Sequence, residues 1–173
     1  MRIAISGKSG CGNTTVTTLV SKALGYPMIN FTFRNLAKER NIEFWEFCKK
    51  AESDDEPDRE VDSRQVRLAM AEKDCVLGSR LAIWMLKDAD LKVYLTASTK
   101  ERAKRIQKRE GGTFEERFKQ TEERDRHDSA RYKRLYGIDN ENPDVADLVI
   151  DTTGVSAEEI AARIVERARK IAR

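Results

Sequence analysis

Cysteine is scarce and histidine nearly absent: Cys11, Cys48 and Cys75 are the only thiols, and His127 is the single histidine. An odd number of thiols with no Cys-x-x-Cys or Cys/His spacing argues against both a disulfide framework and a zinc site. Long apolar runs are missing as well. No stretch approaches the roughly 20 residues a membrane-spanning helix needs. The apolar segment near the start, Ile3 to Ile5, is soon interrupted by Gly7, so no secretory signal is expected. Proline and glycine number only 3 and 9, which excludes collagen-like and low-complexity classes. Charge of one sign is lacking too: 33 basic against 30 acidic residues leave +3, too balanced to imply a nucleic-acid or membrane partner. These absences predict a soluble, cytoplasmic protein.

What is present is an ordinary globular composition, with 39% hydrophobic residues in a chain of 173. That length predicts a single domain over 1–173, burying roughly 70% of the surface of its unfolded chain. The β-branched run Arg2-Ile3-Ala4-Ile5-Ser6 ends at a glycine-rich turn and predicts a buried strand. Val16, Leu19, Val20, Ala23 and Leu24 recur at helical spacing, and Gly25 and Pro27 stop that helix. Further helices are expected over Phe33–Arg40, Glu43–Lys50, Arg59–Glu72, Thr99–Arg109 and Thr113 to about Tyr136, with Ser53–Pro57 a turn. Cys75–Leu77, Leu91–Leu95 and Leu148–Asp151 are three more strands. Ser156 with Glu159 forms a capping box that opens a terminal helix. Strands alternating with helices predict an α/β fold, a parallel sheet wrapped on both faces.

The segment Gly7-Lys8-Ser9-Gly10-Cys11-Gly12-Asn13-Thr14 matches the phosphate-loop pattern G-x-x-x-x-G-K-[ST] everywhere except the lysine, which is Asn13. Glycines permit a loop whose successive N–H groups turn toward a phosphate, and the helix N-terminus that follows favours an anion. Thr14 stands where a hydroxyl ligand for Mg²⁺ is expected, and Thr15 follows it. Asparagine at 13 carries no charge to set against the β- and γ-phosphates. Lys8, directly after the first glycine, is one candidate for that charge; a solvated loop lysine is the other reading.

Several segments beyond the loop resemble the P-loop nucleoside monophosphate kinases, archaeal-type cytidylate kinases above all, over nearly the whole chain. They are Phe33-Arg34-Asn35-Leu36-Ala37-Lys38-Glu39-Arg40, Asp58-Arg59-Glu60-Val61-Asp62-Ser63-Arg64-Gln65, Arg80-Leu81-Ala82-Ile83-Trp84-Met85, Arg124-Asp125 with Asp128 and Arg131-Tyr132, Tyr136-Gly137-Ile138-Asp139, and Asp151-Thr152-Thr153-Gly154. The resemblance implies a doubly wound, parallel five-stranded sheet of the P-loop kinase type. It implies an acceptor-binding region over about 31–73 and a lid over about 105–135. It also implies transfer of the ATP γ-phosphoryl group to CMP or dCMP with Mg²⁺; a monomer engaging neither nucleic acid nor membrane is the separate expectation. Gly7 through Thr15 would bind ATP, with Thr14 at the metal. Arg34, Asp58, Asp62 and Arg80 would bind the monophosphate. Lys8, Arg124 and Arg131 would stabilise the transferring group. An acidic residue expected at the end of the third strand is replaced by Gly78.

The chemistry itself calls for cations more than for a base. An acceptor phosphate is already largely ionised at neutral pH, and guanidinium groups bind phosphate bidentately and stay charged. The span Lys100–Arg134 holds 13 basic and 8 acidic residues. Within it, Arg102, Arg105 and Arg117 read as a solvated helix face with i,i+4 partners. Asp58 and Asp62, one helical turn apart, suit either an arginine or a cytosine amino group, and Asp58 suits a solvated acidic face equally. Phe44, Trp45 and Phe47 read as core. Two other functions remain open: a catalytically impaired nucleotide-binding or regulatory protein, and a small-metabolite kinase.

Overall fold

The computed structural model of the chain describes residues 1–43, 46–47 and 54–172. Among the described residues, five strands and seven helices with defined bounds follow in the order β1 (Arg2–Gly7), α1 (Asn13–Leu24), β2 (Met28–Ile29), α2 (Phe33–Glu39), α3 (Glu56–Ala71), β3 (Cys75–Gly78), α4 (Ala82–Met85), β4 (Leu91–Thr96), α5 (Thr99–Glu110), α6 (Phe114–Tyr136), β5 (Leu148–Asp151) and α7 (Ala157–Ile171). The strands form one sheet in the order β2-β3-β1-β4-β5, and every pairing is parallel.

Period-two alternation sends β1 to both faces. Ile3 and Ile5 pack with Val16 and Val20 of α1 and Ile160 and Ile164 of α7. Ala4 turns to the opposite face, where Ala69 of α3, Ile83 of α4 and Tyr94 of β4 lie. Burying aliphatic side chains of this size stabilises the fold by roughly 1.5–3 kcal/mol apiece, so the two layers hold the central strand from either side. Ser156 and Glu159 make the expected capping box, and Gly25 ends α1 in a left-handed conformation.

A smaller apolar cluster, Phe31, Leu36, Ala37, Phe47 and Val61, seats α2 against α3. Gln65 ties the two further by donating to the Phe31 carbonyl at 2.6 Å in a buried bond. Helix α3 begins at Glu56, three residues before the expected Arg59. Pro57 falls in its first turn, where a missing N–H costs nothing, so the last two residues of the expected turn open the helix, Asp54 and Asp55 stay non-helical, and Ser53 lies outside the described residues. The two-residue strand β2 is too short for any periodicity to announce. Of the expected helix 43–50, Glu46 and Phe47 are helical and Phe47 is buried. Phe44, Trp45 and Cys48 lie outside the described residues. No helix among the described residues is long and apolar enough to cross a membrane.

The register carries the site. Ile5 pairs with Gly78 and Gly7 with Leu95, so the loop after β1, the turn after β3 and the end of β4 meet at one carboxyl edge of the sheet. An open parallel sheet presents its binding crevice at that edge.

Candidate active site

The loop 7–14 bends back on itself with the Cys11 N–H donating to the Lys8 carbonyl at 3.1 Å. It feeds α1 through Gly12, a left-handed N-cap that provides no side-chain acceptor for the first-turn N–H groups. Those donors are the ones an anion satisfies at a helix start. Gly10 is required twice over, by its φ of 85° and by Arg102, whose Cβ would stand 2.8 Å from a side chain at that position.

Arg102 and Arg105 correct the reading from helical spacing. Arg102 is only 2% exposed. Its Nη1 donates to the Ser9 carbonyl at 3.1 Å and to Asp125 Oδ1 at 3.0 Å. Arg105 donates to the Gly10 carbonyl at 3.3 Å and to Thr152 Oγ1 at 2.8 Å, while keeping Glu101 as its i,i+4 partner. These two side chains grip the carbonyls on the outside of the loop. Nothing in the sequence pointed to it, because the partners lie more than ninety residues away. Arg117 turns back on its own segment, donating to the Gly111 carbonyl at 2.8 Å.

Lys8 is not simply solvated. Its Nζ donates to Glu141 Oε1 at 2.6 Å and lies 3.6 Å from Asp125 Oδ2. Thr14 and Thr15 stand exposed on the first turn of α1, and Cys11 is buried with its thiol pushed up by that burial. The Asn13 side chain points to the third strand's end: Nδ2 donates to the Ser79 carbonyl at 3.1 Å, and Oδ1 accepts from Thr17 Oγ1 at 3.3 Å.

A second cationic centre lies where α6 meets α3 and the β3–α4 turn. Asp128 pairs with Arg80 through one oxygen and accepts from Arg131 Nη2 at 3.1 Å through the other. Arg124 stands exposed on α6, and its guanidinium pKa is lowered, first by desolvation and then by the like charge of Arg80. Arg131 Nε faces Asp58 Oδ1 at 3.6 Å. Asp58 is 4% exposed, which ends its reading as a solvated acid, and its Oδ2 has no hydrogen-bond partner. Burial pushes its carboxyl up. Asp62 accepts from the Tyr136 hydroxyl at 2.8 Å, and burial pushes its carboxyl up to about 6. Arg34 occupies the exposed first turn of α2, behind a capping box formed by Thr32 and Asn35. His127 is exposed.

For a divalent cation the protein offers hydroxyls at the start of α1 and no carboxylate at the end of β3. Among the described residues, no group of three or more His, Cys, Asp or Glu is placed to hold one. That donor set suits an ion that keeps waters and arrives on a nucleotide's phosphates, as Mg²⁺ does.

Residues 2–154 match the model of the cytidylate kinase-like family. The "Cytidylate kinase 2" of Borreliella afzelii is 46% identical over 164 residues, covering 92% of each chain. The cytidylate kinase of Pyrococcus abyssi is 44% identical, covering 92% of this chain and 89% of its own. Among solved structures, the shikimate kinase of Acinetobacter baumannii superposes with a TM-score of 0.63 at 16% identity, covering 98% of this chain and 93% of the other. At that identity the likeness speaks for the fold.

Proposed function

The chain belongs to the cytidylate kinase-like family, and on that footing we propose that it moves the γ-phosphoryl group of ATP to CMP or dCMP, as a monomer acting on free nucleotides. The observation that carries this reading is the pairing of two anion-binding centres: an uncapped helix start behind a glycine loop, and arginines gathered on one carboxylate. Two phosphate-bearing substrates require both.

In this reading the main-chain N–H groups from Gly7 to Thr15 cradle the ATP tail, held in shape from outside by Arg102 and Arg105. Thr14 would hold Mg²⁺, which when bound with ATP neutralises charge on the β- and γ-phosphates. Lys8 exchanges Glu141 and Asp125 for a phosphate and supplies the charge that Asn13 lacks. Arg34 and Arg80 receive the acceptor phosphate, with residues 31–73 as its platform. The lid, 105–135, brings Arg124 and Arg131 to the transferring group and excludes water, so that the phosphate is not lost to hydrolysis. The orphan Oδ2 of Asp58 supports an acceptor base bearing an amino group, since a buried acceptor without a donor is costly.

Steady-state ADP formation across CMP, dCMP, UMP and AMP tests the reading, with turnover expected on CMP and dCMP. Lys8→Ala should lower kcat by about 100-fold, the usual effect of removing one stabilising donor. ATP binding without acceptor-dependent turnover would instead identify a nucleotide-binding protein on a kinase scaffold.

A further inference from the structure

Two departures from the expected pattern, Asn13 in the phosphate loop and Gly78 at the end of β3, meet at one buried residue. Thr17 is 0% exposed and lies one helical turn after Asn13. A Cβ at Gly78 would fall 2.4 Å from Thr17 Oγ1 and 2.8 Å from its Cγ2, so no side chain, acidic or otherwise, fits at 78 without displacing Thr17. The Thr17 hydroxyl needs an acceptor, and Asn13 Oδ1 provides it at 3.3 Å. A lysine side chain at 13 would offer no acceptor, leaving only the main-chain carbonyl one turn back. The amide's orientation follows from the same network. Ser79 presents a carbonyl, which only accepts, so Nδ2 must face it and Oδ1 must face Thr17.

We infer that Asn13 is a positioning residue for the acceptor site, and that its side chain is not a ligand of the donor phosphates. Its amide ties the first turn of α1 to the Ser79 carbonyl, one residue before Arg80. The backbone of Ser79 is fixed on its other side by its N–H, which donates to the Ile5 carbonyl at 3.1 Å. Arg80 therefore leaves a peptide anchored to β1 and to the phosphate loop together, which sets where its side chain departs relative to the donor, while Asp128 holds the guanidinium. Asn13 and Gly78 are thus one coupled change with Thr17 at its centre, joining the donor loop to an acceptor arginine. This rests on the kinase reading above, and its test separates the two.

The experiment is a substrate-by-substrate comparison of Asn13→Ala with the parent protein, measuring KM for CMP, KM for ATP and kcat. Removal of one net hydrogen bond to the anchor predicts a three- to ten-fold rise in KM for CMP. KM for ATP should stay within about two-fold, because the main-chain N–H at 13 is kept. A rise confined to ATP would make the side chain a donor-phosphate ligand and overturn the inference, and so would two unchanged KM values. Should Asn13→Ala not fold, Asn13→Leu is read by the same criteria, since it keeps the branched shape at 13 and removes the donor to the Ser79 carbonyl. Thermal unfolding gives an independent arm that needs no activity: Gly78→Ala and Thr17→Ala combined should lower Tm by less than the two single losses added. Strict additivity would remove Thr17 from the centre of the unit. An inactive parent protein would defeat the kinase reading while leaving that coupling measurable.

Discussion

At the residue scale the decisive feature is that charge is buried in pairs. Arg102 is almost fully enclosed and bonded to Asp125 and to the Ser9 carbonyl, so removing it leaves that carboxylate with only Lys8, 3.6 Å away, and frees a loop carbonyl. Arg102→Met should cost about 3 kcal/mol in denaturant unfolding, in the range seen when one partner of a buried pair is lost. A loss below about 0.5 kcal/mol would mean the pair is no more than a surface contact. Asp62 works in the opposite sense. Its folded pKa of about 6 lies above its ordinary value of 3.8, so the ionised carboxylate penalises the fold. The penalty is absent below the ordinary value, grows between the two, and is complete above the folded one. Asp62→Asn, which still accepts from Tyr136, should therefore raise Tm at pH 8 and leave it nearly unchanged at pH 3.5. Equal shifts at both would show that the carboxyl titrates normally.

At the scale of elements, β1, the glycine loop, α1 and α7 were legible because each is written in contiguous residues: alternating apolar side chains, glycine positions, a capping box. The arm built on α5 and α6 was legible only in part. Sequence spacing located α6 and counted its charges, yet could not say which arginines face water. Arg102 and Arg105 meet loop carbonyls, and Asp58 meets Arg131, across separations that no periodicity reports. Helix α6 is 23 residues long with only Thr121, Tyr132 and Leu135 buried, so apolar packing contributes little to holding it down. It is held instead by Arg80 to Asp128, Arg102 and Lys8 to Asp125, Arg131 to Asp58, and Arg134 to Asp55. Partly exposed pairs weaken as salt shortens the screening length from about 10 Å at 0.1 M to about 3 Å at 1 M. Amide exchange in α6 should accelerate several-fold over that range while α1 and α7, packed through Val16, Val20, Ile160 and Ile164, stay protected. Uniform behaviour of all three helices would contradict an ionic attachment.

For the whole molecule, one edge of the parallel sheet carries two candidate anion centres, which the proposed function makes a donor and an acceptor site. A scaffold of this kind is useful only if the phosphoryl group passes between them without reaching water. Following the γ-phosphorus label of ATP in the presence of CMP and Mg²⁺ measures that passage. Labelled CDP should form in step with ADP, with little label as inorganic phosphate. Label appearing as free phosphate at the rate of ADP formation, or no ADP at all above background, would contradict it.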